Sequence, residues 1–475
     1  MKRLALLPFI IASLGINTPV QAAAKWYWAY IEKNQQVISY NVSGNVHVLL
    51  EGVGPSNLYR IDDDTAVVMI WRTHQFSAYV LTSDNAYLVS ELYSGEFPDD
   101  PLAHPAGVQA LALMYPYMLI WNFDYSSHFI FNRETHTVEK LNLDRWETVR
   151  VSADGRYLRY FIDDEKGNNL KLHWRLVEYD VVKAVARTIF ERKEDKPAEA
   201  DSIYEGCKPD THGEKWFCEQ SIGIYPANGG MPLSKRQIIH IDGHTEDIEN
   251  NQYLKVSASG DWFILTSDNY YNHCDKTCTF KITNYSTGHT QTYSVSQMAP
   301  PQEVDFNLFY SEVLDDGHLL LVGSFQTGSA NYLLQDKTKL IYLGVTPCCD
   351  FVHMSNDGRW RIIYDVRKPK QPSTILVDMK LGRIILREDG LIDLLGFAEG
   401  GIALGGLEFY SYEIDRLFTV KDGVIPGLVV DVLPNRIAIG ANPKDIADQN
   451  EVGIYMTSQE TGKKLLVKDA EPLFE

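Results

Sequence analysis

The sequence predicts an all-β chain, a β-propeller of four-stranded blades, about eight to ten of them. Three observations carry this. Short runs of β-branched and aromatic residues, such as Trp262-Phe263-Ile264-Leu265-Thr266 and Trp360-Arg361-Ile362-Ile363-Tyr364, alternate with turn residues along almost the whole chain. A hairpin recurs near residues 36, 77, 127, 175, 237, 280, 331, 374, 409 and 452, mostly at steps of 40 to 50, the period of one blade. Between the hairpins stands a second repeated element, so each pair of elements supplies four strands.

That second element is a strand, then Ser-x-(Asp/Ser)-Gly, then another apolar strand. It reads Ser152-Ala153-Asp154-Gly155-Arg156-Tyr157 and Ser355-Asn356-Asp357-Gly358-Arg359-Trp360, with looser copies at Ser257 to Trp262 and Leu314 to His318. The hairpins carry Thr-Gly or an equivalent, as in Asn284 to Gly288, Asp378 to Gly382 and Gln459 to Gly462. Gly at these positions supplies the positive φ that tight turns require. Each unit buries its faces on its neighbours, so the ring must close. Two smaller rings also satisfy the period. Trp26-Tyr27-Trp28 begins so early that the first unit lacks an innermost strand, which the C-terminal segment is expected to supply. Lys183 to Glu194 has the composition of a helix, the main exception, and 195–236 reads as an irregular insertion within the propeller of 23–475.

The first 22 residues read as a cleaved signal peptide. Met1-Lys2-Arg3 is a positive start, Leu4 to Ile16 an apolar run, and Val20-Gln21-Ala22 places small residues at −3 and −1 of a cleavage site after Ala22. The run is short of the roughly 20 apolar residues of a membrane span, and no second stretch of spanning length follows. The expected location is periplasmic or secreted. Cleavage removes the two positive charges of Lys2 and Arg3, so the formal charge passes from −19 to −21. A diffusely acidic surface argues against nucleic acid or anionic membrane as a partner.

Export makes the six cysteines disulfide candidates. Spacing favours Cys207 with Cys218 and Cys274 with Cys278, leaving Cys348 and Cys349 as a vicinal pair or free thiols.

The Ser-x-Asp-Gly-Arg-aromatic element followed by a Thr-Gly hairpin resembles the TolB-like (WD40-like) propeller repeat, over about 151–190 and 252–390. It is also similar to the propeller domains of prolyl-oligopeptidase family proteins. The resemblance implies an exported propeller that binds proteins or gates a substrate. That family's hydrolase domain carries Gly-x-Ser-x-Gly, which this sequence lacks.

Site chemistry is sparse. No phosphate loop, dinucleotide fingerprint or His-Glu-x-x-His helix is present. The Asp-Gly pairs lack the intervening residue of sialidase Asp boxes and read as turns. His273, Cys274 and Cys278 read as a disulfide region rather than a zinc set. His240, Asp242 and His244 alternate, but Asp242-Gly243 signals a turn, so a solvated hairpin tip is expected. No cofactor and no metal is expected. The candidate ligand-binding face is built from connections after the second strand of each unit: Arg72 and His74, Asp124 and Tyr125, Asp163, Asp164 and Glu165, then Asp268, Asn269, Tyr270 and Tyr271. Such an acidic, aromatic face suits a basic peptide, a cation or a stacked sugar. The favoured reading is a non-catalytic scaffold for a protein or extracellular ligand. The alternative is a propeller hydrolase or lyase acting on glycans or peptides through loop carboxylates.

Overall fold

A computed structural model describes residues 25–473 except 73–74, 95–107, 123–126, 142, 144–147, 165–170, 197–202, 223–232, 249–251, 258–261, 268–278, 285–286, 295–307, 315–316, 326–327, 335–339, 347–351, 356–358, 367–370, 391–393, 405–407, 422–428, 443–451 and 461. Among the described residues, forty strands form ten sheets of four antiparallel neighbours. Blades 2 to 10 are each continuous in sequence, from 54–94 through 148–195 and 203–248 to 429–468. Blade 1 is assembled from both ends. It contains β1 (Trp26–Ile31), β2 (Gln36–Asn41) and β3 (Val46–Glu51), and its inner strand is β40 (Glu471–Pro472). Ala29 pairs with Pro472 and Tyr30 with Glu471, and Leu473 N–H donates to the Trp28 carbonyl at 3.1 Å. The expected closure by the C-terminal segment is therefore present.

A single ring of ten blades follows from the packing. Apolar clusters join blades 1 and 2, 2 and 3, 3 and 4, 4 and 5, 5 and 6, and 7 and 8. Another spans blades 8, 9 and 10, and a further one joins 10 to 1. Blades 6 and 7 meet through their first strands, with Gly317 of blade 7 against the Trp262 ring of blade 6. Middle strands are buried on both faces, which explains continuous apolar runs such as Ala66 to Ile70 and Met118 to Trp121. Outer strands are exposed edges and carry charge, as in Arg383–Asp389 and Gly462–Lys468, which discourages pairing with another chain.

The repeated motif is explained by its hydrogen bonds. Ser152 Oγ accepts the Tyr157 N–H at 2.9 Å and donates to Asp154 Oδ1 at 2.6 Å, while Gly155 sits at φ 72°. Ser355 Oγ accepts the Trp360 N–H at 2.9 Å and Ser257 Oγ the Trp262 N–H at 3.2 Å. The motif arginine then crosses to the other turn of its blade. Arg156 grips Asp180 at 3.2 and 2.7 Å, and Arg359 grips Asp378 at 3.2 and 2.9 Å. Each of these aspartates also caps its hairpin: Asp180 Oδ1 accepts from Val182 and Lys183, and Asp378 Oδ1 from Lys380 and Leu381. The motif thus ties two turns on one face of the ring, which bears out its reading as turn chemistry.

Two expectations are corrected. Lys183 to Glu194 is not a helix: Val185–Asp195 is the outer strand of blade 4, paired along its length with Lys171–Asp180. Its helix-tolerant composition loses to the Asp180-capped hairpin and to pairing with a buried strand. The stretch read as irregular contains two blade strands, Ile203–Pro209 and Lys215–Ile222. There Cys207 stands directly opposite Cys218, and the two form a disulfide. Cys274, Cys278, Cys348 and Cys349 lie outside the described residues.

Candidate functional site

The antiparallel order places first-to-second and third-to-fourth turns on one face and the remaining connections on the other. Arg72 ends the second strand of blade 2 and Asp163 that of blade 4, so both lie at the second face. Trp71, beside Arg72, is about half exposed (51%) and covers the backbone of Gly54. Asp164 is held by Arg175 in a bidentate pair, 2.8 and 2.9 Å, and lies 3.4 Å from His173 Nε2. His173 in turn meets Glu191 at 2.9 Å, and Lys193 meets Glu191 at 2.8 Å. The Arg175 bond keeps the Asp164 carboxyl below the usual carboxylate range. Its charge is therefore matched within blade 4. His74, Asp124, Tyr125, Glu165, Asp268, Asn269, Tyr270 and Tyr271 lie outside the described residues.

A cavity opens on the other face, at the seam where the ring closes. Its volume is about 460 Å³, and it lies against the first strands of blades 9, 10 and 2 and β1 of blade 1, with Trp360 of blade 8. Apolar walls come from Phe397, Tyr412, Val429 and Leu473, with the Trp360 ring stacked on Tyr412 at 4.4 Å.

The charged groups at this seam are interlocked. Asp431, fully buried, accepts backbone N–H groups from Gly400 (2.9 Å) and Val432 (2.8 Å) through Oδ1. Its Oδ2 accepts the Tyr27 hydroxyl and the Lys25 ammonium, both at 2.8 Å. Lys25 also meets Glu399 at 3.1 Å, and Arg60 of blade 2 reaches the same Glu399 oxygen at 3.1 Å. Turns of blades 2 and 9 are thereby pinned together across blades 10 and 1. The Arg60 guanidinium lies over Tyr27 and Trp28, 5.4 and 5.6 Å from the ring centroids. Burial, then the Asp431 charge, pushes the Tyr27 hydroxyl far above its ordinary range, so it stays a donor. Burial does the same to Tyr40, which stacks on Tyr27 at 5.5 Å.

Sequence reasoning missed this cavity because its parts lie about 400 residues apart; Tyr27 and Asp431 are 404 positions from one another. One signal was available. Asp431 interrupts the apolar strand Val429-Val430-Asp431-Val432-Leu433, and a carboxylate in such a run is buried only with partners.

The ten four-stranded blades define the class: the chain is a β-propeller. Among solved structures it is similar to the β-propeller domain of the Trilobed protease from Pyrococcus furiosus, at 13% identity over 71% of this chain and 94% of that one, TM-score 0.31. It is similar to oligogalacturonate lyase from Vibrio parahaemolyticus, at 12% identity over 84% and 93%, TM-score 0.35. It is also similar to Porphyromonas gingivalis dipeptidyl peptidase 4, at 8% identity over 83% and 65%, TM-score 0.38. No protein-family model and no curated protein matches the chain.

Proposed function

We propose that the protein is an exported propeller, signal peptide 1–22 and propeller 23–475, that binds a protein or peptide ligand without transforming it. The seam cavity would take an apolar or aromatic side chain of that ligand. The observation that supports this reading is the mutual pairing of the ionisable groups around the cavity. Glu399 is engaged by Lys25 and Arg60, and Asp431 by four donors. Groups committed in this way fix shape and orientation, whereas acid–base catalysis needs a poised and accessible pair. The apolar walls with a polar rim are the usual make-up of a side-chain pocket. Export is supported by the charged-apolar-small start of the sequence and by the Cys207–Cys218 bridge.

The test is a displayed peptide library screened on the mature protein, with Ala398→Trp as the cavity-filling variant. Ala398 lines the cavity and is half-buried. Enriched peptides should share an apolar or aromatic anchor, bind at micromolar Kd and be recovered intact by mass spectrometry. Ala398→Trp should weaken them at least about tenfold, roughly 1.4 kcal/mol, while melting like the wild type. Peptides that bind both proteins equally would remove the cavity from the reading. Cleaved peptides, or turnover of a glycan panel, would replace binding with catalysis.

A further inference from the structure

We propose that His240, His244 and Glu246 form a binding site for a divalent transition metal of the Zn²⁺ type, on the outer hairpin of blade 5. The three donor atoms lie within 4.8 Å of one another. Strand pairing explains why. Ile239 is opposite Thr245, so His240 and His244 are the next cross-strand pair, their rings 5.3 Å apart. The two-residue period of the strand returns Glu246 to the face that His244 occupies. His240 Nε2 and Glu246 Oε1 are already 3.2 Å apart. The edge of a tetrahedron with 2.0–2.1 Å bonds is about 3.3 Å, so one edge stands near its final length. The rest of the approach needs only side-chain rotation, for which an exposed hairpin leaves room.

The turn is held without these side chains. Asp242 Oδ1 accepts the His244 N–H at 2.9 Å, and the Gly243 N–H donates to the His240 carbonyl at 2.9 Å with Gly243 at φ 85°. Comparison between blades supplies a second, independent observation. The corresponding third-strand end is Asn41, Asn132, Asp180, Asn284 and Asp378 in blades 1, 3, 4, 6 and 8, and each caps its own turn. Blade 5 has moved the cap two residues on, to Asp242, and placed an imidazole at the vacated position. Two imidazoles and one carboxylate select Zn²⁺, Ni²⁺ or Cu²⁺ over Mg²⁺ or Ca²⁺. Three protein donors leave a fourth position for water or for a ligand atom. The exposed turn at Asp242-Gly243 agrees with the solvated hairpin tip expected from the sequence, and the proposal adds a metal to that tip.

The experiment titrates ZnCl₂ into tag-free mature protein at pH 7.5 by calorimetry, with Co²⁺ absorption as a reading of coordination. One Zn²⁺ should bind saturably at this site, with tetrahedral-type Co²⁺ bands. His244→Ala and Glu246→Gln should each weaken that event at least about tenfold. His289→Ala, an exposed histidine of blade 6, should leave it unchanged. All variants should melt alike in EDTA, because Asp242 and the Gly243 N–H hold the exposed turn. Zn²⁺ binding of equal strength in the wild type, His244→Ala and Glu246→Gln, or none below roughly 100 µM, overturns the proposal.

Discussion

Asp431→Ala is the substitution whose cost the structure sets out most fully. The carboxylate is fully buried and takes four donors, two on each oxygen. Removing one side of a buried ion pair costs about 3–5 kcal/mol, because the partner charge stays behind. Each buried donor left without an acceptor adds about 1–3 kcal/mol. The sum is tempered at Lys25, whose side chain is 22% exposed and keeps Glu399 at 3.1 Å. A net loss of about 3–5 kcal/mol is therefore expected. At about 2.1 cal/mol/K per residue, a cooperative unit of this size has an unfolding entropy near 1 kcal/mol/K. The Tm should fall by about 3–5 °C in calorimetry. Asp431→Asn should fall between. Its carbonyl still accepts from Gly400 and Val432, but its amide faces the Lys25 ammonium. Hydrogen exchange should show the lost protection in blades 9, 10 and 1, the elements Asp431 joins. A Tm within about 1 °C of the wild type, or protection lost evenly around the ring, would refute the assignment of this residue to the seam.

Two glycines separate turn strain from blade contact. Gly155 and Gly44 both have positive φ, 72° and 87°. A Cβ at Gly155 would sit 2.4 Å from the Met114 nitrogen, whereas one at Gly44 meets nothing within 4 Å. Gly44→Ala should cost about 1–2 kcal/mol and Gly155→Ala clearly more in urea melts; equal costs would dismiss the contact between blades 3 and 4. Breaking the Cys207–Cys218 bridge by Cys207→Ser should cost about 2–3 kcal/mol for a loop of 11 positions, and non-reducing peptide mapping of the wild type should recover the cross-linked pair. Asp164 has a depressed pKa in the fold, so its pairing with Arg175 stabilises above the unfolded value near 3.9 and is lost as pH falls through the folded one. The Tm gap between wild type and Arg175→Gln should therefore be open at pH 7 and close below about pH 4; a gap independent of pH would mean that Arg175 acts by packing.

The sequence revealed what repeats. The hairpin positions near 36, 237, 374 and 452 fall in the third strands Gln36–Asn41, Leu233–His240, Ser373–Asp378 and next to Gly453–Ser458. Local turn chemistry recurs with each blade, so it stands out against a variable background. Ring closure was legible as well, because Trp26 to Trp28 had no preceding inner strand. Lys183 to Glu194 was misread because an outer strand is solvent-exposed and therefore lacks the apolar alternation that marks a strand. The seam cavity was not legible, since Lys25, Arg60, Glu399 and Asp431 meet only after the ends of the chain are joined.

The same contrast separates scaffold from site. Ser152, Arg156 and Asp180 of blade 4 recur in kind at Ser355, Arg359 and Asp378 of blade 8 because the same two turns are tied on one face. A residue required by geometry in every blade carries little information about a ligand. Departures from the repeat carry more. His240 stands where five other blades place Asn or Asp, and Asp242 takes over the cap of its turn. Asp431 stands inside an otherwise apolar inner strand and is tolerated only because four donors converge on it. A β-propeller can spend such departures where its face meets something outside itself, and here they fall on the same face, at the rim and at the seam.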